Sequence, residues 1–150
     1  LGVSYSHAPH YRETAAAAIL EMRRQVPQDV FDAEGLLQKG LLLRHLILPG
    51  QYRDSMRILD WVRASLGEET LVSLMSQYTP LYRAKEIKAL SRKLTTFEYE
   101  KVIDYFFEIG LKNGFMQKRS SATGEYTPTF DLSGVVAAES FMKREENHHD

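Results

Sequence analysis

The chain predicts an α/β fold of parallel strands alternating with helices, and three observations carry that expectation. Short apolar runs are bounded by turn residues, the stretches between them have helical periodicity, and the order is helix, strand, helix, strand, helix, strand. Alternation at this spacing argues for right-handed crossover units and a parallel sheet. The run from Leu41 to Leu48, between Gly40 and Pro49-Gly50, is the segment around which the rest is arranged. Its length and punctuation suit a strand buried on both faces. Arg44 and His45 sit side by side within it, so one should face the helices and the other the opposite side. A buried Arg without a partner is costly, so Arg44 is expected to lie near a carboxylate, a phosphate or a ligand.

The elements follow in order. Leu1 to His10 has no periodicity and reads as a connection, and the lack of an initiator Met suggests a fragment or a processed chain. From Tyr11 the chain turns helical, with Tyr11, Ala15, Ile19, Met22 and Val26 on one face and Pro27 as the stop. Val30 to Gly40 holds turn-forming glycines and reads as a loop or small hairpin before the central strand. A second helix is expected from about Arg53 to Leu66, with Met56, Leu59, Val62 and Leu66 on its stripe. Asp54 or Ser55 is its expected start cap, Gly67 its end, and Trp61 a core or interface anchor. Thr70 to Met75 reads as a second buried strand, followed by polar Ser76-Gln77-Tyr78-Thr79 at the end where parallel sheets bind ligands. Leu81 to Lys93 is a basic loop or short helix, read first as a solvated face.

The third helix is the most strongly specified. Thr95-Thr96-Phe97-Glu98 supplies a capping box, Tyr99, Val102, Ile103, Phe106 and Ile109 the stripe, and Gly110 the end. Asn113 to Gln117 reads as a short last strand. Lys118 to Gly134 is turn-rich, Val135 to Met142 suits a turn of helix, and the end of the chain is a charged, frayed tail. Three strands in one small sheet leave unpaired edges, as in a piece of a larger sheet.

Composition bounds the function. At 150 residues with 43% apolar content, the chain is one domain's worth. A net charge of −1 argues against a nucleic-acid or anionic-membrane binder, and no apolar run approaches the about 20 residues of a membrane span. With no signal-peptide pattern at its start, a cytoplasmic location is the expectation. Zero cysteine removes disulfides, thiol nucleophiles and thiolate-held metals or clusters from this chain. The nucleophile elbow, P-loop, dinucleotide fingerprint and zincin motifs are all missing from the sequence, so no catalytic residue and no metal ligand is assigned. His7 and His10, like His148 and His149, lack further ligands at metal-site spacing and read as connection and tail residues. The polar residues marked by position are Arg44, His45, Gln77 and Tyr78, in or at the ends of two apolar strands.

Four phrases carry a resemblance: Tyr5-Ser6-His7-Ala8-Pro9-His10-Tyr11, Glu21-Met22-Arg23-Arg24-Gln25, Gly40 to Pro49, and Leu74-Met75-Ser76-Gln77-Tyr78. Together they resemble the C-terminal half of a radical SAM protein of the pyruvate formate-lyase activating enzyme-like family. Thr127 to Val135 resembles the end of such a chain, so the likeness covers about residues 1 to 135, with 136 to 150 a polar tail. The resemblance implies the C-terminal portion of a partial (β/α) TIM-like barrel. It also implies S-adenosylmethionine and a 4Fe–4S cluster for the full-length protein, the cluster held by a C-x3-C-x2-C motif in an N-terminal half. This chain alone would then hold no cofactor and would not be catalytically competent. By position on the matching strands, Arg44, Gln77 and Tyr78 are the implied cofactor-binding residues at the mouth, Arg44 toward a carboxylate and the other two toward the nucleoside or substrate. The activating enzymes carry a His near Gln77-Tyr78, which this chain lacks. Implied partners are the missing half of the barrel, a protein or small-molecule substrate, and further copies of the chain through open sheet edges; neither nucleic acid nor membrane is implied. The alternative is a free-standing α/β binding or self-assembly module without cofactor.

Overall fold

A computed structural model describes residues 9–116. The expected turn of helix at 135–142, the polar tail at 136–150, Gln117 at the end of the last strand, and His7, His148 and His149 lie outside the described residues. The order is α1 (Tyr11–Gln25), β1 (Val30–Phe31), β2 (Leu37–Lys39), β3 (Leu42–Leu46), α2 (Tyr52–Leu66), β4 (Leu71–Met75), a 3-10 turn (Tyr82–Lys85), α3 (Thr96–Glu108) and β5 (Gly114–Met116).

The alternating pattern folds as expected into a three-stranded parallel sheet, ordered β3-β4-β5. Leu43, Val72 and Gly114 pair across it, and so do Arg44, Ser73 and Phe115. Because the pleat alternates, Leu43, Val72, His45 and Leu74 share one face, while Leu42, Arg44, Leu46, Ser73, Met75 and Phe115 share the other. The first face is covered. Leu59 and Val62 of α2 and Tyr99, Val102 and Phe106 of α3 enclose Val72 and Leu74 in a single core with Ile47, Leu94 and Leu111. Both crossovers step in the same direction along the sheet, and right-handed connections of that kind put both helices on one side. Trp61 packs on this core, as the sequence suggested.

Among the described residues the opposite face is largely open, which corrects the expectation that the central strand is buried on both sides. Leu71 of β4 is buried there and Ser73 and Met75 are half-buried, but the β3 positions on that face lie exposed. Leu42 is 39% exposed, Leu46 36% and Phe115 52%. The apolar run Leu41 to Leu48 looked doubly buried because its outward positions are as apolar as its inward ones. Among the described residues, helices cover only the inward set.

Helix α1 departs from its expected role in the same way. It has the predicted bounds, but none of its residues is buried; Tyr11 and Met22 lie open, and Ala15, Ile19 and Val26 are half-buried. It packs lightly against α2 and is tied down mainly at its C-terminal end. There Arg23 donates to both carboxylate oxygens of Asp29, at 3.0 and 3.2 Å, and Asp29 also accepts from the Leu41 amide at 2.9 Å. Burial alone would raise the Asp29 pKa, but Arg23 and the Leu41 amide bring it below the usual value. That carboxylate joins α1 to the start of β3.

The 30–40 segment is a hairpin, β1 pairing antiparallel with β2. Asp32 accepts from the amides of Glu34 and Leu36 and so shapes its turn. Helix α2 begins one residue before the expected Arg53, and its cap is Gln51, without a side-chain bond, rather than Asp54 or Ser55. Ser55 instead lies inside the helix, where its hydroxyl meets His45. Gly67 ends α2 at φ +93°, a left-handed backbone that glycine adopts without a side-chain clash. Helix α3 has its capping box as read: the Thr95 hydroxyl accepts from the Glu98 amide, and Glu98 accepts from the Thr95 amide.

Candidate functional site

The strand ends that follow Leu46 and Met75 carry two loops, and one carboxylate joins them to the start of α3. Glu98, only 5% exposed, accepts from the Gly50 amide at 2.6 Å, from both Arg92 terminal nitrogens at 2.8 and 2.7 Å, and from the Thr95 amide and hydroxyl at 3.0 and 2.8 Å. These bonds fasten the β3–α2 loop and the 81–94 loop to the start of α3. The Arg92 guanidinium, with the backbone and hydroxyl donors, holds the Glu98 carboxyl far below the usual carboxylate range against the opposing effect of burial. The sequence marks Glu98 as half of a capping box. Its bonds to Gly50, 48 residues away, and to Arg92 have no local signature.

Arg44 and His45 do separate to opposite faces. His45 turns toward the helices, where its Nε2 is hydrogen-bonded to Ser55 Oγ at 2.9 Å. Desolvation lowers its pKa, and the nearby Asp54 charge opposes that shift. Arg44 is the middle residue of β3 on the open face and is exposed. Its expected carboxylate partner is not the contact seen; Arg44 Nη2 donates to Met75 Sδ at 3.1 Å. Because the face is open, the guanidinium stays hydrated and the cost of an unpaired buried charge does not arise. Arg44 is in register with Ser73, and Met75 lies two residues beyond, so the side chain leans toward the C-terminal ends of the strands.

Gln77 is exposed just past β4. Tyr78 is folded back into the next loop, where its hydroxyl donates to the Leu90 carbonyl at 2.8 Å and burial pushes its pKa up. Arg44 therefore lies along the open face, whereas Tyr78 braces the loop beside it; the two share no hydrogen bond. His10 occupies the N-cap of α1.

At the opposite ends of the strands is an open cleft of about 450 Å³, lined by Arg23, Asp29, Phe31, Glu69, Thr70 and Asn113 among others. Its polar groups are engaged with one another: Arg23 with Asp29, and Glu69 with Lys112 and Asn113. Sequence reading missed it because its walls come from three separate segments, 23–31, 66–71 and Asn113.

Among the described residues, no group of His, Cys, Asp or Glu is arranged to hold a metal ion, and no helix is long and apolar enough to cross a membrane. The described residues thus form an α/β unit with a parallel three-stranded sheet, helices on one face, and a largely open, mostly apolar second face that carries Arg44. No protein-family model matches the chain, and no solved structure matches it. It is 33% identical over 79 residues to the uncharacterized protein MJ0674 of Methanocaldococcus jannaschii. That match covers 51% of this chain and 23% of the relative, so the chain spans about a quarter of the relative's length.

Proposed function

We propose that this chain is the C-terminal part of a radical SAM enzyme of the pyruvate formate-lyase activating enzyme-like kind, lining a (β/α) barrel and contributing to cosubstrate and substrate binding. The observation that carries the reading is the one-sided sheet. Successive parallel strands with both helices on one face and, among the described residues, a largely open second face exposing Leu42, Leu46 and Phe115 have the layout of a barrel wall, whose inner face is covered by the strands opposite. A doubly wound sheet, by contrast, reverses its strand order and covers both faces. The quoted phrases that resemble the family include β3 and the last two residues of β4, Leu74 and Met75.

The residues present do not fit the cluster: cysteine is missing from the sequence, and no metal-binding group occurs among the described residues. The cluster and its cosubstrate would supply the radical chemistry from the cysteine-bearing half. In this reading Arg44 presents a fixed cation to a carboxylate inside the barrel. Glu98 and Arg92 hold the loops at the mouth in place, and Gln77 lies at the rim.

The test is the reading frame upstream of Leu1. It is expected to encode a three-cysteine motif, and the longer protein, made anaerobically, is expected to be brown and to cleave S-adenosylmethionine reductively. An Arg44→Ala change in that protein should weaken cosubstrate binding or turnover while leaving the cluster absorption intact. A start codon immediately before Leu1, or a longer protein without cluster or cleavage, would overturn the proposal and favour a free-standing module.

A further inference from the structure

The loop between β4 and α3 is built in a way that solvation alone does not explain. From Leu81 to Leu94 it carries Arg83, Lys85, Lys88, Arg92 and Lys93 against one acid, Glu86, in a chain whose net charge is −1. Elsewhere Arg23, Arg24, Arg63 and Lys112 are paired with carboxylates. Exposed cations without such a pair among the described residues, such as Arg53 and Arg57, are spaced along a helix and not gathered in one loop. Within the loop only Arg92 has such a partner among the described residues, and that pair is structural. Arg83, Lys85, Lys88 and Lys93 are exposed.

The loop is nevertheless well anchored. Leu90 and Leu94 are buried at 6% and 5% exposure, Tyr78 holds the Leu90 carbonyl, and Glu98 holds Arg92. Backbone bonds from Glu86 to Arg83, Ile87 to Ala84 and Leu90 to Ile87 coil the segment tightly, so the cations are displayed together on a fixed frame. Tyr82 begins the 3-10 turn in the left-handed region, at φ +48°, with 80% of its surface exposed. A non-glycine residue in that conformation costs about 1 kcal/mol or more, and its ring contributes little burial to the fold in return.

We propose that this anchored loop docks an acidic segment of a partner protein, with Tyr82 as the aromatic anchor and Arg83, Lys85 and Lys88 as the cationic contacts. Tyr and Arg are the side chains enriched at the energetic centres of protein interfaces, and a pre-ordered loop loses little entropy on binding. Leu81, 39% exposed beside Tyr82, adds apolar area that an extended polyanion would not use. A nucleic acid is disfavoured because the cations are confined to one short loop, whereas the chain as a whole is weakly negative. The surface stands apart from the barrel reading, since it needs neither cofactor nor a second half.

The test uses the full chain and two fluorescent probes, a short peptide of alternating Glu and Leu and a single-stranded oligonucleotide of similar length. Saturable peptide binding is expected, weakening with added salt. The double charge reversal Lys85→Glu with Lys88→Glu should weaken it about tenfold or more. Tyr82→Ser, which changes no charge, should weaken it about fivefold. Arg57→Glu, an exposed charge reversal on α2, should leave it unchanged. All four side chains are exposed, so thermal unfolding of these variants should match the parent. Three results would each overturn the proposal: no saturable peptide binding, peptide binding indifferent to Tyr82→Ser, or tighter capture of the oligonucleotide.

Discussion

Replacing Glu98 by Gln removes a negative charge from the junction of two loops with the start of α3 while keeping the side chain's size. The parent carboxylate accepts five hydrogen bonds, from Gly50, Thr95 and Arg92, with its side chain 7% exposed. Gln has a single acceptor oxygen and presents donors to the guanidinium. At least one Arg92 bond and one backbone donor therefore lose their partner. Bonds to a charged group contribute about 1.5–3 kcal/mol each, but the Arg92 side chain is 46% exposed, so its share is discounted for solvent screening. Adding a weakened helix cap at about 1 kcal/mol gives a total loss of about 3 kcal/mol. For a 150-residue domain that corresponds to a melting temperature lower by roughly 6–12 °C.

The pH dependence of the Glu98→Gln effect follows from the sign of the pKa shift. The folded-state pKa of Glu98 is depressed well below its ordinary 4.5, so its contribution is fully present above pH 4.5 and is lost as pH falls toward the folded value. Each pH unit below 4.5 removes at most about 1.4 kcal/mol of the difference between parent and variant. Thermal unfolding followed by far-UV circular dichroism at pH 7, 5 and 3 measures this directly. The gap between the two proteins should be wide at pH 7 and 5 and should narrow at pH 3. If the variant melts within a degree of the parent at pH 7, or if the gap is unchanged at pH 3, the carboxylate is not what holds the loops together.

Two further outcomes test the sheet. Gly114→Ala would place a methyl carbon 2.5 Å from Met116 Cε and 2.9 Å from Phe106 Cε1. Met116 has room to move but fully buried Phe106 does not, so a loss of about 1–3 kcal/mol is expected in urea unfolding, and an unchanged midpoint would count against this packing of β5 on α3. On the open face, Leu46→Lys with Phe115→Lys should reduce self-association of the isolated chain in light scattering; a parent that is monomeric at high concentration would show that this face does not drive association.

Much of the architecture was legible because it is local. The capping box at Thr95 and Glu98, the stripe from Tyr99 to Phe106, the glycine after Leu66 and the apolar runs at β3 and β4 each encode their element within a few residues. The separation of Arg44 from His45 also follows from the two-residue period of a strand. The sequence likewise determined that this chain carries no thiolate ligand and no strong net charge. Which face of an element is covered was not legible. Leu42 and Leu46 are as apolar as Leu43 and Ile47, and the Tyr11 to Val26 stripe looks like any core-facing stripe. Burial depends on what else is present to pack against, and that is a property of the assembled fold. The partners of polar groups were hidden for the same reason. Arg44 rests on the sulfur of Met75 on the next strand, Tyr78 turns to the Leu90 carbonyl, and Glu98 reaches across 48 residues to Gly50, because chain crossings alone bring those atoms together.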